Sequence, residues 1–347
     1  MRLERRSDVP LAMIIVAPVT AVAVALILAA GLIAAAGVNP LTAYAEMLRG
    51  AFGSRLSVTE TLTRATPLML TGLAAAIAFR ARLWNIGGEG QFFMGALATA
   101  WIGHSLNLPP VLGISLLMVI GMAAGALLLA GPAYLRLRFG VDEVVTTLLL
   151  NFIVILFVGL MVEGPLRDPL SFGWPSSVPV DGDYRLPDLV ARTRLHIGFL
   201  IAIMMAGVVW LIMSRTVFGM ETRAVGLSPT AASFAGISLP RNLMAVALFS
   251  GAMAGLAGSV EVLGVTAVVT TTMSPGFGYA GIVVAMLAAL HPAGVAAAAI
   301  FVATVFVGAD AMSRATGVPS FIADVIVALC LLTMLVALLF TTYRVRK

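Results

Sequence analysis

Apolar residues in this chain fill whole stretches rather than one stripe in every three or four positions, and short polar breaks separate the stretches. A segment apolar all round predicts a helix with no water-facing side, and about 20 such residues cross a hydrocarbon core of about 30 Å. Ten segments fit. The first runs from Leu11 to Ala36 and ends at Asn39-Pro40. The second, Leu62 to Phe79, is stopped by Arg80 and Arg82. The third, after Gln91, has only about 16 residues, short for a full crossing. Leu108-Pro109-Pro110 turns the chain into Val111 to Leu135, closed by Arg136 and Arg138, and Val144 to Val162 follows. After a polar interval come Ile197 to Met213, Asn242 to Val262, Gly276 to Leu290, Ala293 to Ala309 and Phe321 to Phe340. The expected fold is all-α: a polytopic membrane protein of about ten transmembrane helices, built as a single transmembrane domain over residues 1–347.

Three polar or mixed intervals stand out. Between the first two spans, Tyr44, Met47, Leu48 and Phe52 recur at near-helical spacing, which predicts a segment lying along the outer interface. Residues 163–194 are rich in Pro, Gly and Asp without helical period, as expected of an ordered external loop. Residues 214–241 form a polar island holding a very short helix: Ser228 is a good N-cap, Pro229 suits the first helical position, Thr230 to Ala235 continue it, and Gly236 closes it before Pro240. A rod of about 10 Å is too short to cross a bilayer and marginal alone, so it needs a surface to dock on.

Composition agrees with the membrane reading. Hydrophobic residues make up 61% and charged residues 11%, with a mean hydropathy of +1.06, which excludes an ordinary soluble domain. The net charge of +5 is carried by arginines scattered between apolar segments, a pattern of membrane topology rather than of nucleic-acid binding. Cys330 is the only cysteine, so intramolecular disulfides and cysteine-based metal sites are excluded. Lys347 is the only lysine, so the chain has no Walker A loop and any ATP hydrolysis belongs to another chain. His104, His196 and His291 are isolated and show no metal-ligand spacing. No catalytic or metal residue is expected.

Alternating the ten segments across the membrane puts 13 of the 21 basic residues on the side of Arg2, Arg5 and Arg6 and 10 of the 16 acidic residues on the other. By the positive-inside rule, both chain ends and the 214–241 island are cytoplasmic. The first apolar run exceeds a signal-peptide core and lacks a convincing cleavage site, so it reads as a retained span. Spans two to five and seven to ten then form inverted copies. In each copy the second member is short and opens on glycine, Gly87-Gly88-Glu89-Gly90 in one and Pro275-Gly276-Phe277-Gly278-Tyr279 in the other. Paired interrupted helices at matching positions point to a substrate path, because a helix starting inside the membrane leaves amides that need a polar partner.

Candidate pathway residues cluster by sequence around those starts: Asn85, Glu89, Gln91, Phe93, Asn151, Glu261 and Tyr279. Glu89 and Gln91 have two roles open to them, lining the path or capping amides of the first turn. Asn151 lies within an apolar span, where it is either interhelical glue or a pathway group. Phe92, Phe93 and Tyr279 are suited either to stack on a planar solute or to pack. Glu261 follows Ser250-Gly-Ala-Met-Ala-Gly255-Leu-Ala-Gly258-Ser259, a small-residue run that predicts close helix packing. An ion-coupled carrier would share the repeat but is expected to show a charged relay near the bilayer centre. An intramembrane enzyme would need a nucleophile-base pair. Neither pattern stands out.

Arg223-Ala-Val-Gly226, Ala231-Ala232 and Ala235-Gly-Ile237 resemble the coupling loop of ABC importer permeases of the branched-chain amino acid, ribose and nucleoside group. Asn85-Ile-Gly-Gly-Glu89-Gly-Gln91 is similar to a signature of the nucleoside-type branch associated with basic membrane lipoproteins. Leu137 to Glu143, Gly164 to Pro169, Ser250 to Gly258 and Gly281 to Leu287 look like further blocks of it, and the likeness covers roughly residues 61–338. At Leu290-His-Pro-Ala-Gly294 the chain departs, with His291 where relatives carry Asn.

The resemblance implies alternating access by a permease subunit that moves a small neutral solute inward, a nucleoside before a sugar or another small polar solute. Arg223, Ser228, Pro229, Thr230, Ala231, Ala232, Phe234, Ala235 and Gly236 would then be the ATPase-coupling residues. It also implies a partner ABC ATPase holding ATP and Mg, with no cofactor in this chain. A second related permease forming a heterodimer, an extracytoplasmic solute-binding protein, surrounding lipid and a bacterial cytoplasmic (inner) membrane complete the picture.

Overall fold

The computed structural model describes residues 2–5, 11–171 and 173–346. All ten apolar segments are helical, joined by short helices in the polar intervals. In chain order these are α1 (Leu11–Ala35), α2 (Pro40–Phe52), α3 (Arg55–Arg80), α4 (Gly88–Gly103), α5 (Pro110–Phe139), α6 (Glu143–Glu163), α7 (Gly198–Arg215), α8 (Val217–Leu227), α9 (Pro229–Phe234), α10 (Leu239–Glu261), α11 (Phe277–Leu287), α12 (Pro292–Thr316) and α13 (Ser320–Thr342). The chain ends pair as a short antiparallel ribbon, β1 (Arg2–Arg5) with β2 (Tyr343–Arg346). Among the described residues six helices are long and apolar enough to cross a membrane, α3, α5, α6, α7, α10 with its extension to Thr266, and α12, or seven if α1 and α2 act as one bent span. The shortfall from ten has a geometric cause at α4 and α11. Their 16 and 11 residues, at 1.5 Å each, reach about 24 and about 17 Å, less than the hydrocarbon thickness.

The chain forms two compact units, residues 1–64 with 300–347, and residues 65–299. In the first, α1 packs along α13. The chain bends by 118° into α2, where Asn39 caps the new helix by accepting from the Leu41 amide at 2.9 Å and Pro40 takes its first position. The Tyr44 hydroxyl donates to the Leu26 carbonyl. Met47 is buried and Leu48 and Phe52 are exposed, so α2 is amphipathic as its spacing predicts, with one face held by protein. Gly50 and Gly308 let α2 and α12 touch: a Cβ on Gly50 would lie 2.0 Å from that of Ala311.

In the second unit α10 is an inner helix, as is α3, whose apolar window is 89% buried. Of the α10 window 72% is buried, against 22% for α5 and 28% for each of α6 and α7. The small-residue run is the reason. A Cβ on Gly255 would fall 2.1 Å from the Gly121 carbonyl oxygen of α5, one on Gly95 of α4 would fall 2.2 Å from the Gly255 oxygen, and one on Gly258 would fall 1.9 Å from the Phe92 oxygen. Three backbones thus meet where side chains would hold them apart, and packing rather than a hydrophobic force joins them in lipid. Thr99 donates to Ser259 at 2.8 Å within this contact. After Glu261 the helix widens into a π turn, Val262–Thr266.

The loop at 163–194 is ordered by this unit. The amides of Ser177, Val180 and Leu186 donate to the carbonyls of Val269, Ala267 and Leu263 at 2.9 to 3.0 Å. The Tyr184 hydroxyl accepts from the Leu108 amide at 2.9 Å. His196 closes the loop, fully buried against Gly264 and Gly198. Its Nδ1 accepts from the Gly198 amide at 3.1 Å. Burial pushes its pKa down to about 4, with Asp188 opposing and Arg185 reinforcing the shift.

Candidate functional site

The site is built where α4 and α11 begin. Arg80 ends α3, Arg82 takes a left-handed turn (φ 54°), and residues 83–87 run irregularly into α4. On the other strand of chain, Gly276 at φ 90° opens α11. The two glycine-rich starts meet: a Cβ on Gly278 would sit 2.1 Å from the Glu89 nitrogen and 2.4 Å from the Gly88 carbonyl carbon. Only glycine permits that approach.

Helix starts leave orphan amides, and those of Gly90, Gly276, Phe277 and Gly278 have side-chain acceptors here. Ser274 Oγ accepts from the amides of Gly276 and Phe277 at 3.1 and 3.0 Å. Glu89 Oε2 accepts from the Gly278 amide at 2.6 Å, and Ser274 bonds the same carboxyl group. Glu89 therefore lies between two helix N-termini, its own and that of α11, both favourable to negative charge. At 3% exposure its carboxyl group is committed to protein partners.

Asn151 on α6 ties the same corner together. Its Oδ1 accepts from the Gly90 amide at 2.8 Å, and its Nδ2 donates to the Ile86 carbonyl at 2.9 Å and to the Tyr279 hydroxyl at 3.1 Å. Asn85 and Gln91 form a reciprocal amide pair at 2.9 and 2.8 Å. Asn85 also donates to Ser250 at 3.1 Å, and Ser250 donates to the Ala74 carbonyl at 2.8 Å. Asn85, Gln91 and Asn151 are buried, and Tyr279, 37% exposed, is the member that reaches the surface. A buried polar network of this kind is rigid because every broken bond leaves an unsatisfied group in low dielectric.

The structure thus brings Asn85, Glu89, Gln91, Asn151 and Tyr279 into one assembly. Phe93 lies outside it, fully buried and edge-on to Phe92 at 5.7 Å, while Phe92 meets Phe277 at 5.9 Å. Glu261 stands apart at the far end of α10, 7% exposed. Ser250, Ser274, Thr147, Thr71 and Glu143 join the site without having been singled out as members. Thr147 accepts from the Ile86 amide at 3.2 Å and Thr71 donates to the Phe277 carbonyl at 2.9 Å. Glu143 accepts from the Trp84 amide at 3.2 Å and from Arg136 at 2.6 Å. Ser250 opens the small-residue run and Glu143 closes the Leu137 to Glu143 block, both read from the sequence. Nothing local distinguishes the others.

The island is two helices. Thr216 caps α8, accepting from the Gly219 amide at 3.3 Å, and α8 carries Arg223 on its exposed side. Ser228 caps α9, accepting from the Ala231 amide at 3.3 Å. Gly236 at φ 85° closes it, with the Ile237 amide returning to the Ala232 carbonyl and the Gly236 amide to that of Ser233. Ala232 faces inward. Pro229, Thr230, Ala231 and Ala235 are exposed and Phe234 is 97% exposed. On the inner side, a Cβ on Gly226 would fall 1.9 Å from the Arg80 carbonyl oxygen, so α8 presses on the end of α3 five residues before Asn85. Arg80 Nε in turn donates to the Leu290 carbonyl at 3.1 Å, at the turn between α11 and α12. The island, the α4 start and the end of α11 are joined through one residue.

Apolar helices that bury glycine seams and polar helix starts define a multi-pass membrane protein. Its family follows from comparison: the branched-chain amino acid transport system permease component family matches residues 57–338, and the chain belongs to that family. It is 35% identical over 317 residues to the guanosine ABC transporter permease protein NupP of Bacillus subtilis, covering 90% of each chain. It is 32% identical over 355 residues to the glucose ABC transporter permease protein TsgB13 of Haloferax volcanii, covering 99% of this chain and 93% of that one. It is 32% identical over 323 residues to the nucleoside ABC transporter permease protein NupB of Lactococcus lactis, covering 90% of this chain and 88% of that one. No solved structure matches it.

Proposed function

We propose that this chain is the permease subunit of an ATP-driven importer that carries a nucleoside inward by alternating access. The observation that carries the reading is α9, a capped six-residue helix whose Phe234 is 97% exposed and whose neighbour α8 bears through Gly226 on Arg80. An aromatic side chain held out on so short a helix suits a groove on a motor protein. Displacement of α8 would pass through Arg80 to the two short-helix starts, where a small rotation opens or shuts the path at Tyr279. A nucleoside is supported by the names of two relatives, and a neutral solute suits a site whose two carboxyl groups already have protein partners, Glu89 the Gly278 amide and Glu143 the Trp84 amide and Arg136.

In this reading the chain crosses the cytoplasmic membrane of a bacterium ten times with both ends inside, and spans two to five and seven to ten are inverted repeats. ATP and Mg are held by a separate ABC ATPase. A second, related permease completes the cavity as a heterodimer, and a solute-binding protein docks on the 163–194 loop outside. A sugar is the second reading, because the glucose permease relative matches nearly the whole chain.

Reconstitution with the partner ATPase and binding protein tests both. Guanosine or uridine should stimulate ATP hydrolysis and glucose should not. Phe234→Asp and Ala231→Arg should abolish stimulation and release the ATPase. Stimulation by glucose alone would establish the sugar reading, and unchanged coupling in both variants would refute the role of α9.

A further inference from the structure

A groove of about 640 Å³ runs between the last turns of α5 and the first turns of α10. Its walls include Pro240, Met244 and Leu248, and Tyr134, Arg138 and Arg241 stand along it. Both guanidiniums are exposed, and neither has a hydrogen-bond or ion-pair partner among the described residues. No carboxylate lines the groove. The N-terminus of α10 adds to the positive potential, since Ser238 makes no side-chain cap there.

The dimensions match one kind of occupant. Arg138 lies in the last turn of α5 and Arg241 in the first turn of α10, ends that the proposed topology puts at the cytoplasmic membrane edge, while Leu248 is seven residues farther along α10. That is about 10 Å deeper, at acyl-chain depth. A phosphate at the mouth would meet two guanidiniums suited to bidentate contact, and an acyl chain would lie on Met244 and Leu248. A zwitterionic headgroup would bring an ammonium against the same two cations. We propose that this groove binds an anionic phospholipid of the adjoining leaflet, phosphate on Arg138 and Arg241 and one chain along α10.

The test is native mass spectrometry of the full chain, purified with its partners and titrated with phosphatidylglycerol or phosphatidylcholine of identical acyl chains. Phosphatidylglycerol should bind more tightly. The double variant Arg138→Gln/Arg241→Gln should weaken it roughly 30-fold, as expected for two surface cations, while Arg55→Gln/Arg314→Gln, which removes two exposed arginines elsewhere, should not. Ala245→Trp, which fills the groove but keeps both arginines, should reduce binding of both lipids and keeps the proposal testable if the double variant does not fold. Equal affinity of the wild type for the two lipids, or unchanged phosphatidylglycerol binding in Arg138→Gln/Arg241→Gln, would overturn it. Loss of a co-purifying protein from that variant with unaltered lipid binding would assign the groove to a protein partner and overturn it equally.

Discussion

Glu89 offers the sharpest separation between a structural and a transport role. Its Oε2 accepts the Gly278 amide at 2.6 Å in a buried site, and leaving such a buried amide unsatisfied costs about 1 to 3 kcal/mol. Glu89→Gln keeps an acceptor of nearly the same shape, so the loss should be about 1 kcal/mol or less. Glu89→Ala orphans the amide and vacates the space between two helix starts, and should cost about 2 to 4 kcal/mol. Trp84, Trp101, Trp174 and Trp210 all belong to residues 65–299, so their fluorescence follows thermal unfolding of the unit that holds Glu89. The Gln variant should unfold slightly below wild type with an unchanged KM for solute, and the Ala variant far below it. An Ala variant as stable as the Gln variant would refute the capping argument. A tenfold rise in KM for Glu89→Gln at near-native stability would make Glu89 a solute contact instead.

Three further outcomes follow from packing and burial. Gly255→Ala forces a Cβ to within 2.1 Å of the Gly121 oxygen, so α5 and α10 must part by about 1 Å and thermal unfolding should show a loss of about 1 to 3 kcal/mol. Gly226→Ala meets the Arg80 oxygen at 1.9 Å and should lower solute-stimulated ATP hydrolysis severalfold while the ATPase stays bound, as judged by co-purification. His196 has a folded-state pKa of about 4, below its ordinary 6.5. The unfolded chain therefore binds the proton first, and stability should be complete above pH 6.5 and fall as pH drops from 6.5 towards 4, by roughly 3 kcal/mol at most. Thermal unfolding across that range should show the decline in wild type and a weaker one in His196→Asn.

Much of the local structure was legible. Uniform apolar runs predicted every long helix, because lipid and the protein interior make the same demand on a helix surface. Ser228, Pro229 and Gly236 announced α9, because capping is settled by the residues at the cap. The small residues of α10 announced a close seam. The second helix of the island, α8, was hidden by its mixed composition and two glycines, and the bend that lays α2 against α12 had no local marker beyond Asn39-Pro40. In the site, the residue types around the short-helix starts were legible and their partners were not. Glu89 accepts an amide 189 residues away and Asn85 bonds a serine 165 residues away, and pairings at such separations leave no periodic trace.

The sequence by itself determined that this chain belongs in a membrane, which stretches form its long helices, and that two others are too short to cross alone. These properties depend on the solvent preference and backbone freedom of residues close together in the chain. Only the tertiary structure decided that the two short helices meet through Gly88 and Gly278, that Glu89 caps the opposite helix, and that Gly226 sets the island against Arg80. Those are matters of which backbones come within a few ångströms of each other, and that distance is set by packing of the whole unit.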